Sequence, residues 1–325
     1  MTEPRLSYAE AGVDVEGYDR MLAGMKAAIE ATHGPEVVAG VGPFAGLYAL
    51  PSGGRLAAST DSVGTKVKVA IAAGRHDGIG RDLVNHCLND IATARARPLF
   101  FLDYFATGRL DEAVWSPVVK SVAAACADAG CALLGGETAE MPGLYALGDY
   151  DIAGFAVGLV EGDPPDVSRV RAGDVLVGLP SSGLHTNGFS LVRRVFEDVA
   201  LGHVFAELGR PLGEELLEPH RSYLGELRHL EWKAAAHITG GGLPGNVARV
   251  LPEGLAARFD LSGWTPAPIF DLVAKRGRVD PDEMLATFNM GLGMVLVCER
   301  PPAGYPVVGE VVRQNGAQRV LFTKR

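Results

Sequence analysis

Residues 78–104 read GIGRDLVNHCLNDIATARARPLFFLDY, and the change of pattern inside this stretch decides the class of fold. From Gly78 to Ala94 the residues Ile79, Leu83, Cys87 and Ile91 recur every four positions, which lines one face of a helix. Pro98 ends that helix, and Leu99 to Tyr104 reads as a strand. The alternation extends both ways. Leu56 to Thr60 is a short strand that runs into Asp61-Ser62-Val63-Gly64-Thr65-Lys66. Ser116-Pro117 is an N-cap followed by proline at the first helical position. The helix it opens runs through Val119, Val122 and Cys126 to a stop at Gly130. Ala132 to Leu134 is then a buried strand running into a glycine-flanked loop, Gly135 to Pro142, and Asp151 to Glu161 is one more strand.

Gly162-Asp163-Pro164-Pro165-Asp166 is the best linker in the chain. The expected organisation is therefore residues 1–165 as one α/β domain and 166–325 as a second, an α/β (α+β type) chain of two domains in series. The second half restarts with a strand from Asp174 to Leu179, a polar loop, and a helix from about Gly188. Further on come a helix near Leu243 to Val250 and strands around Leu255 to Leu261 and Leu292 to Val297.

Composition sets outer bounds. The 325 residues are 47% hydrophobic and 21% charged, an ordinary globular balance. The formal charge of −9 repels a phosphate backbone, so general nucleic-acid binding is not expected. Met1 to Arg5 carries no apolar segment of the secretory kind. The longest apolar stretch, Val118 to Leu134, is interrupted by Lys120 and Asp128, so no membrane span is expected. Cys87, Cys126, Cys131 and Cys298 lack zinc or CxxC spacing, and Cys126 and Cys131 read as small buried residues. The expectation is a cytoplasmic, reduced enzyme.

Gly, Thr, Ser, Asp and Lys collect just after predicted strands, where backbone N–H groups can meet an anion. Asp61 to Lys66 has this form, with an acid for a magnesium shell and Lys66 as a compact cation. It is not the common P-loop, because no GxxxxGK[ST] occurs. Gly40, Gly42 and Gly46 form a weaker pattern, a turn or a nucleotide clamp. On the Gly78 to Ala94 helix, Asp82, His86 and Asp90 share a face, which fits either a metal set or a solvated polar face. Asn89 adds a hard oxygen beside Asp90. Glu137 and Glu140 are metal candidates or solvated loop residues. In the second half Ser181 to Gly188 is another anion loop, in which His185 is either an acid/base group or an exposed capping residue. Gly240-Gly241-Gly242 is costly unless the backbone must come close to something.

Taken in order, these loops resemble aminoimidazole ribonucleotide synthetase, the phosphoribosylformylglycinamidine cyclo-ligase family. The resemblance is carried by Tyr8-x-x-Ala11-Gly12-Val13-Asp14, Thr60 to Lys66, Cys87-Leu88-Asn89-Asp90, Pro98 to Tyr104 and Gly135 to Gly143. Beyond the linker it continues with Ser181 to Arg193, His237 to Gly242 and Thr287-Phe288-Asn289-Met290-Gly291. The chain departs from the family pattern at Ser62, at Pro43-Phe44 in a segment usually richer in glycine, and after Arg300, where a direct run to one final strand is expected. Selenophosphate synthetases and thiamine-phosphate kinases share the fold but differ in their early motifs.

The resemblance implies ATP-dependent closure of formylglycinamidine ribonucleotide to aminoimidazole ribonucleotide, with ADP and phosphate, through an iminophosphate intermediate in purine biosynthesis. It implies Mg2+ and a homodimer in which the N-terminal sheets of two subunits close a barrel. Asp61, Gly64, Thr65, Lys66, Asn89, Asp90, Glu137 and Thr138 are expected around ATP, with Asp61, Asp90 and Glu137 on the metal. His185, Asn187, Ser190, Arg193 and Gly240, Gly241 and Gly242 are expected around the ribonucleotide. His185, Lys66 and Asp90 are the expected catalytic groups.

Overall fold

The computed structural model describes residues 6–323; Met1 to Arg5, read above for a secretory segment, lie outside the described residues. The first half contains α1 (Val15–Glu30), β1 (Val37–Ala39), β2 (Gly46–Ala49), β3 (Arg55–Ser62), α2 (Lys66–Ala73), α3 (Ile79–Ala92), β4 (Ala96–Thr107), α4 (Glu112–Asp128), β5 (Ala132–Glu140) and β6 (Tyr150–Val160). Its strands form one sheet in the order β1-β2-β3-β6-β4-β5. Only β4 and β5 pair in parallel, because α4 carries the chain across between them. Residues alternate along β6: Tyr150, Ile152, Gly154, Ala156, Gly158 and Val160 are buried, whereas Phe155 on the other face is 43% exposed. The helices thus cover one face of this sheet and leave the other open.

The second half contains β7 (Val175–Pro180), α5 (Phe189–Val195), α6 (Leu212–Leu216), α7 (Leu224–His229), β8 (Ala234–His237), α8 (Gly242–Val247), β9 (Leu255–Phe259), α9 (Pro268–Gly277), α10 (Pro281–Thr287), β10 (Leu292–Cys298), β11 (Val307–Arg313) and β12 (Val320–Phe322). These strands order as β12-β9-β11-β7-β10-β8. β10 is buried at every residue, as a central strand covered on both faces should be.

The apolar interior does not stop between the halves. One cluster runs from Ala57 and Val67 through Leu83, Leu88 and Phe101 to Val192, Phe270 and Phe288. A second, on the C-terminal sheet, takes in Phe44 from the first half beside Leu176, Leu292 and Val295. Arg249 lies 4.0 Å over the Phe44 ring and donates to the Gly42 carbonyl at 2.9 Å and the Pro43 carbonyl at 2.8 Å. The glycine pattern around Gly42 is therefore a bend tied to the other half of the chain.

Several expectations are corrected. The segment expected as a loop from Gly135, with Glu137, Thr138 and Glu140, continues β5 as regular strand. Gly136 is needed there because a Cβ would stand 2.4 Å from the Asp103 carbonyl oxygen, so the parallel neighbour sets the conformation rather than turn propensity. The fourth helix begins at Glu112, not Ser116: Asp111 caps it through Ala113 N, and Pro117 lies inside. Pro98 does not end α3, which stops at Ala92; it sits in β4 at an irregularity of the pairing with β6. Two strands, not one, follow Arg300. All four cysteines are buried free thiols.

Candidate active site

The polar face of α3 is not solvated. Asp82, Asn85, His86, Asn89 and Asp90 are all buried, enclosed by the loop before α5, the segment around His220 and the end of β8. At one end Lys66, fully buried, donates to Asp82 Oδ1 at 2.8 Å, to the Glu218 carbonyl at 2.7 Å and to the His185 carbonyl at 3.1 Å. Those bonds use all three protons of the ammonium, so Lys66, expected to neutralise a phosphate, instead clamps two loops of the other half. Burial pushes the Lys66 pKa down and that of Asp82 up, each opposed by the partner's charge. Asp82 Oδ1 also accepts His220 N–H at 2.7 Å, which leaves Asp82 Oδ2 buried without a partner.

Beside this pair runs a chain of ring nitrogens. His86 Nε2 stands 2.9 Å from Asp61 Oδ2, an ion-pair distance at which the N–H is not aimed along the line to the oxygen. His86 Nδ1 is 3.0 Å from Thr186 Oγ1, which is 3.4 Å from His220 Nδ1. His220 Nε2 is 3.0 Å from His237 Nε2, and His237 Nδ1 is 2.8 Å from Asp90 Oδ1. Ser59 Oγ donates to Asp90 Oδ2 at 2.9 Å.

Protons on this chain are assigned from the carboxylates at its ends. Burial lowers the His86 pKa, but the charge of the adjacent Asp61 carboxylate, with those of Asp90 and Asp82, outweighs it and raises the pKa to about 9. His86 is therefore the cation, while burial pushes His220 well below its usual range and His237 below it despite Asp90. Every donor then runs one way: His86 to Thr186, Thr186 to His220, His220 to His237, and His237 to Asp90. Burial raises the Asp61 pKa, but His86 and the Ser62 N–H hold it below the ordinary carboxylate range. The Asp61 side chain is 39% exposed and forms the open end of the network.

His185 is not the exposed residue of the alternative reading. It is 1% exposed, holds φ at +60° and stacks on His220 with ring centroids 3.9 Å apart. Its Nε2 accepts the Ser182 N–H at 3.2 Å, so Nδ1 carries the proton, and that donor is buried without a partner. Asn187 Nδ2 is a second unspent donor in the same loop. Gly242 holds φ at +57°, and a Cβ there would meet the Leu285 carbonyl oxygen at 2.0 Å, which explains the third glycine of Gly240 to Gly242. Gly240 faces Asn187, Thr65 Oγ1 lies 3.1 Å from Ser190 Oγ, and Arg193 shares an open cleft with Lys68 and Ser190.

The metal set expected from sequence does not assemble within one chain. His86, Asp90 and His237 offer ligand atoms within 4.8 Å of one another, and Asp61 stands beside His86. Glu137 and Thr138 are elsewhere. Strand register aligns Ser62, Ala153, Tyr104 and Glu137 across one face and Asp61, Gly154, Asp103 and Gly136 across the other. Glu137 is thus on the open face, three strands and about 14 Å from the end of β3. Asn89 is spent on the Arg221 carbonyl and Tyr223 N–H. Sequence reading missed His220, Thr186 as a link and the structural part of Asp82, since only the fold brings residue 220 to α3.

Comparison with known proteins defines the class first. Residues 42–160 match the model of the AIR synthase related protein N-terminal domain, and residues 171–303 match its C-terminal domain. The structure of AaThiL complexed with AMPPCP and TMP shares this fold at TM-score 0.64 and 15% identity, covering 99% of this chain and 96% of that one. The phosphoribosylformylglycinamidine cyclo-ligase of Myxococcus xanthus (strain DK1622) is 53% identical over 303 residues, 90% of this chain and 88% of its own. That of Sorangium cellulosum (strain So ce56) is 49% identical over 345 aligned positions, 98% and 99%. The chain belongs to the phosphoribosylformylglycinamidine cyclo-ligase family.

Proposed function

We infer that the chain closes the imidazole ring of aminoimidazole ribonucleotide from formylglycinamidine ribonucleotide, at the expense of ATP, in purine biosynthesis. The observation that carries this reading is identity near one half, over nearly the whole chain, with cyclo-ligases. An amide oxygen leaves poorly, so transfer of the γ-phosphoryl group of ATP onto the formyl oxygen, with release of ADP, gives an iminophosphate whose carbon can later expel phosphate. The amidine nitrogen of the same molecule then attacks, with the rate advantage of an oriented intramolecular reaction, up to an effective molarity of about 10⁵ M or more.

The chain's own residues divide this work as follows. Two buried N–H donors without acceptors, His185 Nδ1 and Asn187 Nδ2, suit an anionic oxygen of the ribonucleotide, with Gly240 to Gly242, Ser190 and Arg193 around it. His185 acts there as a hydrogen-bond donor, because burial holds its pKa well below the usual histidine range. The Asp61 to Thr65 loop receives the triphosphate. Asp61, acidic and half-open, is the first oxygen ligand for Mg2+, a hard ion that would neutralise phosphate charge there. Asp90 serves behind it by orienting His237, and Lys66 by fixing the His185 carbonyl.

The open face of the first sheet carries Phe155, Tyr104 and Glu137, and β5 ends the sheet with Leu134 65% exposed. A second copy closing a barrel on this face would cover that apolar surface and bring Glu137 toward the subunit boundary. Residues 1–165 would then bind ATP and dimerise, and residues 166–325 would complete the cleft. No helix among the described residues is long and apolar enough to cross a membrane, and a cytoplasmic setting suits the free thiols. Purified protein with ATP, magnesium and formylglycinamidine ribonucleotide should yield aminoimidazole ribonucleotide and ADP in equal amounts. ADP without the ring product would overturn the reading.

A further inference from the structure

None of Arg95, Arg169, Arg228, Lys233 and Arg300 belongs to the network just described, yet all five line one cleft of about 880 Å³. Its wall holds two acidic side chains, Glu231 and Glu299, among the described residues. The chain as a whole has 30 basic and 39 acidic residues, so the sign of charge is reversed here. Lys233 is spent on Asp174 at 2.7 Å. Arg228 and Arg300 are exposed and make no ion pair or side-chain hydrogen bond among the described residues. Arg95 is held in place: its guanidinium lies 4.2 Å over Trp232 and donates to the Trp232 carbonyl at 2.6 Å. Its φ of +59° is one that a non-glycine residue adopts at a cost of roughly 1 kcal/mol or more. Burial, and the nearby charge of Arg169, both push the Arg95 pKa down.

We propose that this cleft binds a small, multiply charged phosphate compound, with Arg95, Arg169, Arg228 and Arg300 sharing its charge. Guanidinium groups match phosphate oxygens in pairs, which a single ammonium cannot do. The volume suits a ligand of nucleoside-polyphosphate size, and Leu230, Pro301 and Pro302 supply an apolar wall for its organic part. A nucleic-acid strand is the wrong ligand for a chain of net charge −9, whereas a small polyanion meets only the local field.

The test uses the full chain and inorganic pyrophosphate as probe, titrated calorimetrically and read as the binding that exceeds what the charge-reversed variant Arg228→Glu/Arg300→Glu retains at the cyclo-ligase site. One equivalent should bind per chain, more weakly as salt is raised. Arg228→Glu/Arg300→Glu should weaken it about tenfold or more, while Arg228→Lys/Arg300→Lys, which keeps the charge and loses the paired geometry, should weaken it less. Both residues are exposed, so unchanged melting curves will show that each variant is folded. Cyclo-ligase turnover of the charge-reversed variant should match the unmodified chain, which separates this site from the reading of function above. Equal pyrophosphate affinity in the charge-reversed variant, or no binding at millimolar concentration, would overturn the proposal.

Discussion

Replacing Lys66 by methionine distinguishes a lysine that meets a ligand from one that holds the protein together. Methionine keeps the length of the side chain, so little volume is lost at this fully buried position. What disappears is the charge facing Asp82 Oδ1 at 2.8 Å and the hydrogen bonds to the Glu218 and His185 carbonyls. Removing one partner of a buried pair leaves the other uncompensated, which costs about 3–5 kcal/mol. Each carbonyl left without a donor adds about 1 kcal/mol or more. Against the roughly 5–15 kcal/mol that separates native from unfolded domains, this is a severe loss. Urea unfolding followed by circular dichroism should show an unfolding free energy lowered by this amount, seen as a lower midpoint at an unchanged slope. Lys66→Met/Asp82→Leu, which removes both charges, should recover a large part. A single variant within about 0.5 kcal/mol of the unmodified chain would refute the clamp and return Lys66 to the ligand.

The pH dependence follows from the histidine chain. His86 is raised from 6.5 to about 9, so its contribution is complete below pH 6.5 and is lost as pH rises through about 9, up to about 3 kcal/mol. His185, His220 and His237 are lowered, so theirs is present above pH 6.5 and fades as pH falls below it. Stability should therefore peak near neutrality, and Asp61→Asn should flatten the alkaline flank; an equally steep flank in that variant would remove Asp61 as the cause. Gly242→Ala should cost about 2–4 kcal/mol, read by thermal melting, because it combines a positive φ with a 2.0 Å approach to the Leu285 carbonyl. Phe44→Ala should cost about 3–5 kcal/mol, and a loss below about 1 kcal/mol would mean that Phe44 is no anchor. Asp61→Asn should also shift the magnesium dependence of turnover, and an identical titration would exclude it as a ligand.

The α3 and β4 region was legible because its apolar period is strong and both elements are long. The class of fold followed from it. Turn chemistry misled at Gly135-Gly136: the residues look like a loop, and only the approach of Asp103 makes them strand. The Asp82, His86 and Asp90 spacing correctly put three polar groups on one face of α3. It could not tell burial from solvation, since the elements that cover that face come from 100 or more residues later, at Thr186, His220 and His237. His220 carries no local signal; it stands after a proline in an irregular segment. Lys66 was visible as a cation in a phosphate-like loop, but its partner sixteen residues on was not.

The joined interior bears on how such a chain could be handled as parts. Residues 162–166 look like the place to divide it, yet Phe44 belongs to the apolar cluster of the C-terminal sheet, and Lys66 is satisfied by carbonyls at 185 and 218. Separated at that point, the first half would keep the Lys66–Asp82 pair but lose both carbonyls that take the other two ammonium protons, and Phe44 would have no core to enter. The second would lack the floor beneath Phe270 and Phe288. Neither half is a portable module, and exchanging one with a relative would require carrying the matching contacts of the other.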